Sequence, residues 1–152
     1  MQRSGFTTIE LVITIVIIGL IAAIGFPTIQ RTLDKTNVRS TRVALSTYAA
    51  MARGAAVQRG CRATLHVTSG ADSRMWVTAC RLDVPTALDT VGQVKNVYSD
   101  FKVTLTATGD SVRYDPRGLS LESVNTIVHF TGNVASNKDS VVINMYTGKV
   151  VR

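Results

Sequence analysis

Glu10 carries a carboxylate at the start of an apolar segment, where a charged side chain is energetically unfavourable. Residues 11–26, which follow it, contain no charged residue. A charged side chain near the centre of a membrane costs about 2.5–3.5 kcal/mol, and less toward the membrane surface. Pairing with a cation would offset part of that cost. If the chain were cut after Gly5, the new amine on Phe6 would lie one helical turn from Glu10, or beside the Glu10 of a neighbouring subunit.

Catalytic and metal-binding patterns do not occur in the sequence. His66 and His129 lie in separate strand-like runs, far from any metal-ligand spacing. Paired carboxylates, a nucleophile elbow and a phosphate-binding loop are also missing from the sequence. We therefore expect a protein that is not an enzyme and that needs neither a metal nor a cofactor.

The element that carries Glu10 is long enough to cross a membrane. Residues 6–26 number 21, about 31 Å as a helix, against a bilayer core of roughly 30 Å. Five polar residues precede the segment and no A-x-A cleavage site follows it, which is the reverse of a secretory signal peptide. The segment is therefore expected to remain in the mature protein. Hydropathy alone is equally consistent with a plain single-pass anchor.

The residues around Glu10 resemble the class III signal of type IV pilins and pseudopilins. The matching sequence is Gly5-Phe6-Thr7-Thr8-Ile9-Glu10-Leu11, followed by an apolar helix with Gly19 and Pro27. The resemblance implies that a prepilin peptidase cuts between Gly5 and Phe6 and methylates the amine of Phe6. It implies that Glu10 aligns each subunit with its neighbour's amine during filament assembly. It also implies a single-pass protein of the bacterial inner membrane with a periplasmic globular domain, which then enters a filament.

Positive charge is concentrated in the first part of the chain. Residues 1–62 contain eight Lys or Arg and two Asp or Glu (8 − 2 = +6), whereas residues 63–152 contain nine and eight (9 − 8 = +1). Five cations are predicted to share one helix face: Arg31, Lys35, Arg39, Arg42 and Arg53. This stripe is either a face in contact with solvent or lipid phosphates, or a phosphate-binding track. The positive-inside rule would place the following domain in the cytoplasm, but the cleavage signal favours the periplasm.

The pattern after the apolar segment predicts a second helical stretch and then strands. Its apolar side runs from Leu33 to Ala55, opposite the basic stripe. Beyond Gly60, short alternating runs predict strands at 63–67, 75–79, 101–107, 112–114, 126–131, 141–146 and 149–151. Residues 82–100, with Pro85 and Gly92, are expected to form an irregular connection.

We therefore predict an α+β fold with a pilin-like architecture, in which a long N-terminal helix packs on an antiparallel sheet of five or six strands. The expected organisation is a leader at 1–5, a transmembrane and assembly helix at 6–27, an amphipathic helix at 28–60 and a β domain at 61–152.

The two cysteines become informative if 63–67 and 75–79 form a hairpin. A turn centred between Gly70 and Ala71 pairs Leu65 with Trp76 and places Cys61 opposite Cys80, within disulfide range. An oxidising compartment would let the bond form. The alternative is a pair of buried thiols.

A wider resemblance, to the GspH/FimT group of minor pilins, covers nearly the whole chain. It rests on the order and spacing of Ala52-Arg53, Arg59-Gly60, Trp76-Val77, Tyr114-Asp115-Pro116-Arg117-Gly118 and Gly148-Lys149. This resemblance implies a minor pilin or pseudopilin whose partners are prepilin peptidase, the inner membrane and other pilins. It leaves open whether the filament is a type II secretion pseudopilus or a type IV pilus.

The same resemblance supplies an alternative function, DNA capture during uptake. Some FimT-type members bind DNA through a basic C-terminal motif resembling Gly-Arg-x-Arg, where this chain has Gly148-Lys149-Val150-Val151-Arg152. The candidate DNA-binding residues are Lys149 and Arg152, together with Arg113, Arg117 and Lys138. Contact with phosphates alone would be independent of base sequence and weakened by salt.

Overall fold

A single long helix organises the chain. The computed structural model describes residues 7–134 and 137–151. Helix α1 comprises 52 residues, Thr8–Arg59, with Pro27 inside it, and is about 78 Å long at 1.5 Å per residue. Thr7 caps its start by accepting a hydrogen bond from the backbone N–H of Glu10 over 3.3 Å. Gly60 ends it in the left-handed conformation (φ 63°), which glycine adopts without a Cβ penalty.

The two halves of α1 have different surroundings. Burial against the rest of the protein begins at Asp34 and recurs every one to four residues, at Asp34, Val38, Thr41, Leu45, Ala49, Ala52, Ala55 and Ala56. Leu33, predicted to begin the apolar side, is instead 57% exposed, because the packed face starts one residue later. We call residues 34–59 of α1, together with the strands that follow, the head.

In the part of the chain that the structure describes, eight strands and one short helix follow α1. The elements are β1 (Ala63–Val67), β2 (Arg74–Cys80), β3 (Leu88–Asn96), α2 (Val97–Phe101), β4 (Val103–Ala107), β5 (Ser111–Tyr114), β6 (Thr126–Gly132), β7 (Lys138–Ile143) and β8 (Val150–Val151). They form two four-stranded sheets, with the orders β3-β2-β1-β5 and β4-β6-β7-β8. Neighbouring strands in both sheets are antiparallel.

The predicted fold class is confirmed, because a long N-terminal helix packs on antiparallel strands. The single sheet of five or six strands is wrong, since the strands divide into two sheets. Gly70, in the loop between β1 and β2, bridges to Leu105 of β4 and so links them. The segment 82–100 was also predicted wrongly, because it contains β3 and most of α2.

The core lies where the two sheets meet the second half of α1. Leu45 and Ala52 of α1, Leu65 of β1 and Phe130 of β6 are fully buried in one continuous cluster. Alanines on the helix face bring the backbones of helix and sheet close together, so larger side chains from the strands fill the space between them. The head is thereby fixed to residues 34–59, and residues 8–33 project beyond it.

Candidate assembly site

Glu10 lies in the first turn of α1 and is exposed to solvent. The Thr7 hydroxyl approaches its carboxylate at 3.5 Å, and the helix N-terminus is electrostatically favourable for a negative charge. Within residues 7–134 and 137–151, no cation forms a salt bridge with this carboxylate. Its position therefore leaves it open to a cation from another molecule. Gly5 and Phe6, where cleavage and methylation are predicted, lie outside the described residues.

The helix around Glu10 presents apolar side chains on all sides. Ile9 is 69% exposed and Ile24 is 75% exposed. The first part of α1 is strongly apolar and is not buried against the rest of the protein, so by length and composition the helix could cross a membrane. Contiguous exposed apolar surface of this extent marks a site for lipid or for other protein. The arrangement suits insertion among lipid chains or packing against other helices.

Cys61 and Cys80 form a disulfide, with their Cα atoms 6.2 Å apart, as predicted. The predicted register of the hairpin is wrong by one residue, since Leu65 faces Val77 and Trp76 faces His66. Cys61 lies before β1 and Cys80 ends β2. The bond therefore ties the segment after α1 to the sheet.

In the observed register, the loop of the hairpin contacts the sheet that contains β4. The loop spans residues 69–73, because Thr68 donates its backbone N–H to the carbonyl of Arg74 over 2.9 Å. Ser73 is buried and its hydroxyl accepts a hydrogen bond from the Leu105 N–H at 2.9 Å. The turn is centred on Ala71 because its end is held against β4, a contact that local turn residues do not encode.

A partly buried cluster of hydrogen bonds joins α1 to the turn at residues 147–148. The hydroxyl of Tyr114 donates to the carbonyl oxygen of Gly148 over 2.9 Å. Arg53 donates from Nε to the Gly118 carbonyl over 2.9 Å and from a terminal nitrogen to the Thr147 carbonyl. Burial raises the pKa of Tyr114 to about 12, so its hydroxyl remains a donor at neutral pH.

These contacts give a structural role to Arg53, which carried part of the wider resemblance, and they change the interpretation of two residues of the basic stripe. Arg53 and Arg42 were predicted to lie on a stripe facing solvent or phosphates, and both face the head instead. Arg53 binds the two carbonyls named above, and Arg42 forms a 2.9 Å salt bridge with Asp139 at the start of β7. Helical periodicity placed them correctly on one face, but it could not show that β7 and the 147 turn lie against that face.

Sequence and structure comparisons agree with this architecture. Residues 43–148 match the family described as type II transport protein GspH. The chain belongs to the GspH family. Among curated proteins, no sequence matches the GspH-family chain significantly.

The fold of the GspH-family chain is similar to that of the type IV minor pilin FimU of Pseudomonas aeruginosa strain PAO1. In one crystal form of FimU the TM-score is 0.54 at 11% identity, covering 74% of this chain and 90% of FimU. In another the TM-score is 0.58 at 10% identity, covering 77% and 88%. The predicted resemblance to the GspH/FimT group is confirmed. The family and fold are those of pilin or pseudopilin subunits, which associate in filaments, and not those of enzymes.

The candidate DNA-binding residues of the GspH-family chain do not form one free cationic surface, because two are paired with carboxylates and Lys138 lies apart from Lys149. Arg113 forms a 3.0 Å salt bridge with Glu122, and Arg117 forms one of 2.9 Å with Asp115. Hydrogen bonding to Glu122 raises the pKa of Arg113, consistent with this pairing. Lys149 is exposed beside the last turn. Lys138 begins β7, whereas β8 pairs with the far end of that strand, and Arg152 lies outside the described residues.

The histidines lie in strands, as expected from the sequence. The His66 ring stacks on Trp76 with centroids 4.9 Å apart, and its Nε2 lies 2.9 Å from the Thr78 hydroxyl. Burial lowers the pKa of His66, which favours the neutral ring. His129 is exposed on β6. Within the described ranges, no group of three His, Cys, Asp or Glu side chains is arranged to hold a metal.

Proposed function

We propose that this GspH-family chain is a minor pilin or pseudopilin that prepilin peptidase cuts between Gly5 and Phe6 and that enters a filament through α1. The observation that carries the proposal is the uncovered apolar half of α1 with the Glu10 carboxylate at its start. Neighbouring helices in a filament would cover the apolar side chains after they leave the lipid. The amine of a neighbour's Phe6 would pair with Glu10, and methylation by the same peptidase would leave that amine cationic.

Membrane insertion precedes assembly in this proposal. The chain consists of a leader (1–5), a membrane and assembly helix (6–27), an amphipathic helix (28–60) and a β domain (61–152). The β domain lies in the periplasm and the helix crosses the inner membrane once. The Cys61–Cys80 disulfide supports this orientation, because disulfides persist in the periplasm and are rare in the cytoplasm.

Two filament types suit a subunit of this kind. Membership of a family described as type II transport proteins supports a secretion pseudopilus. The type IV minor pilin FimU has the same fold, which is consistent with either type. Purifying the filament that contains this chain and identifying its other subunits by mass spectrometry would decide between pseudopilins and type IV pilins.

DNA capture is a second candidate function, supported by the exposed position of Lys149. The salt bridges of Arg113 and Arg117 weaken it, because phosphates would have to compete with Glu122 and Asp115. A gel shift on the full chain in micelles, with Lys149→Gln and Arg152→Gln tested in parallel, addresses it. Salt-sensitive binding lost in both variants would support DNA capture, and unchanged or absent binding would reject this route.

The assembly role of Glu10 is tested by an isosteric substitution. Glu10→Gln removes the charge and preserves the size of the side chain, so the proposal predicts normal cleavage and membrane insertion but little incorporation into filaments. Glu10→Asp keeps the charge and should assemble better than Glu10→Gln. Incorporation is measured as the fraction of the chain recovered in sheared filaments, and cleavage by intact mass. Wild-type incorporation of Glu10→Gln would contradict the proposal.

A further inference from the structure

The head carries a groove, next to its first contact with α1, that is lined by cations from distant parts of the chain. The groove has a volume of about 460 Å³ and is lined by Lys35, Arg39 and Arg42 of α1 and by Asn137, Lys138 and Asp139. Arg42 is paired with Asp139. Lys35, Arg39 and Lys138 form no salt bridge with any described residue. Three positive charges therefore face a common space.

Buried polar contacts fix the two walls of this groove. Asp34 is 3% exposed, and its carboxylate accepts hydrogen bonds from the Asn137 side chain at 2.8 Å and from the Val134 N–H at 3.3 Å. The Arg42–Asp139 salt bridge is a second attachment between α1 and the segment at the start of β7, and it lies further from the apolar half of α1 than Asp34 does. Lys138 lies between these attachment points, so its distance from Lys35 and Arg39 is set by the fold. The single negative charge of the buried Asp34 does not cancel the three positive charges of Lys35, Arg39 and Lys138, so the groove remains cationic.

The groove also lies close to the apolar part of α1. Along the helix axis, Lys35 and Arg39 follow Pro27, the last residue of the expected membrane helix, by about 12 and 18 Å. The headgroup layer on each side of a bilayer is about 5–8 Å thick. Long helical side chains lean toward the helix N-terminus, which in α1 is the apolar end. Lys35 then reaches the headgroup layer, and Arg39 and Lys138 lie within a Debye length, about 8 Å, of it.

We propose that this groove binds the headgroups of anionic phospholipids in the membrane that α1 crosses, and so holds the head against the membrane before assembly. This inference rests on the proposed function, since it requires α1 to span a bilayer. The charge of the groove and its distance from the apolar segment favour a membrane phosphate over a soluble one. Extraction of the subunit into a filament would release these contacts.

The test uses the full chain in nanodiscs of phosphatidylcholine, with or without phosphatidylglycerol. Hydrogen exchange is followed in peptides covering 34–42 and 133–143. We expect slower exchange in the anionic discs and a loss of this difference at high salt. Each lysine near an anionic surface is worth about fivefold in binding. Lys35→Gln with Lys138→Gln should therefore greatly reduce the difference.

A matched control is Arg62→Gln with Arg81→Gln, which removes two exposed cations beside the Cys61–Cys80 disulfide, past the far end of α1, and should leave the difference unchanged. Equal exchange of the wild-type chain in both discs would overturn the inference, as would equal loss in the control. Inorganic phosphate or a DNA duplex that slows exchange equally in neutral discs would also overturn it, by assigning the groove to a soluble anion. Failure of the chain to stay in either disc would instead reject membrane insertion, and with it the proposed function.

Discussion

The Tyr114 hydroxyl donates a 2.9 Å hydrogen bond to the carbonyl oxygen of Gly148, across 34 positions of the chain. A Cβ on residue 148 would overlap the Tyr114 ring. Gly148 also has a φ of 60°, which disfavours residues with a side chain. The last turn of the head therefore closes over a buried tyrosine and requires glycine for two independent reasons.

A comparison of Gly148→Ala with Gly60→Ala should separate the effect of backbone strain from the effect of overlap with the Tyr114 ring. Gly148→Ala adds strain at positive φ and an overlap with Tyr114, so we expect a loss of about 2–4 kcal/mol in the free energy of unfolding. Gly60 has a similar φ of 63° but open space around it. Gly60→Ala should therefore lose only about 1 kcal/mol. Urea unfolding of both variants in micelles measures the difference, and equal losses would show that the ring contact is unimportant.

The same tyrosine should make stability sensitive to alkaline pH. The pKa of Tyr114 is raised from 10.0 to about 12 by burial. Because the folded state holds this proton more tightly, its contribution is complete below pH 10 and is lost as the pH rises toward 12. A difference of this size corresponds to roughly 2–3 kcal/mol.

Urea unfolding between pH 9 and 12 measures this effect. Tyr114→Phe should be less stable at neutral pH but should lose less stability across the alkaline range than the wild type. Tyr146 is 70% exposed, so Tyr146→Phe serves as the control and should behave like the wild type. Parallel alkaline slopes for Tyr114→Phe and the wild type would contradict the assignment.

The disulfide should contribute substantially to the stability of the head. Cys61 and Cys80 are separated by 19 positions, and closing a loop of this length stabilises a folded state by about 3 kcal/mol. Reduction should lower the urea midpoint accordingly. A Cys61→Ala, Cys80→Ala variant should resemble the reduced wild type and should not respond to reductant. An unchanged midpoint on reduction of the wild type would contradict this expectation.

Asp34 should be essential for holding β7 against α1. Asp34→Asn replaces an acceptor oxygen by a donor beside the Asn137 and Val134 donors, and unsatisfied buried groups cost about 1–3 kcal/mol each. The exposed Asp110 provides a control through Asp110→Asn. Hydrogen exchange in 137–143 should accelerate only in Asp34→Asn. Equal exchange in both variants would show that the carboxylate does not position the strand.

The sequence predicted the elements whose signals are local. The uncharged apolar residues 11–26 define the first part of α1, and alternation defines β1, β4, β5 and β6 within two residues. The strand β3 was missed because most of its nine residues are exposed. An edge strand with little buried surface lacks the alternation by which strands are recognised.

The other differences between the predictions from the sequence and the structure arise from contacts between distant parts of the chain. Asp34 is a charged residue that no apolar pattern would assign to the packed face, and the contacts of its carboxylate with Asn137 and Val134 account for its burial. Arg53 has the same periodicity as the cations exposed to solvent, and the 118 and 147 turns distinguish it. The Cys61–Cys80 bond was predicted despite the wrong register, because one residue of slip moves strand neighbours only a few ångströms.

The most direct test of the assembly proposal is the intact mass of the chain purified from its native membrane. The proposal predicts a polypeptide that begins at Phe6, lacks residues 1–5 and carries one additional methyl group on its terminal amine. A polypeptide that retains Met1, or that begins at any residue other than Phe6, would contradict it, because Glu10 would then have no neighbouring terminal amine at the predicted distance.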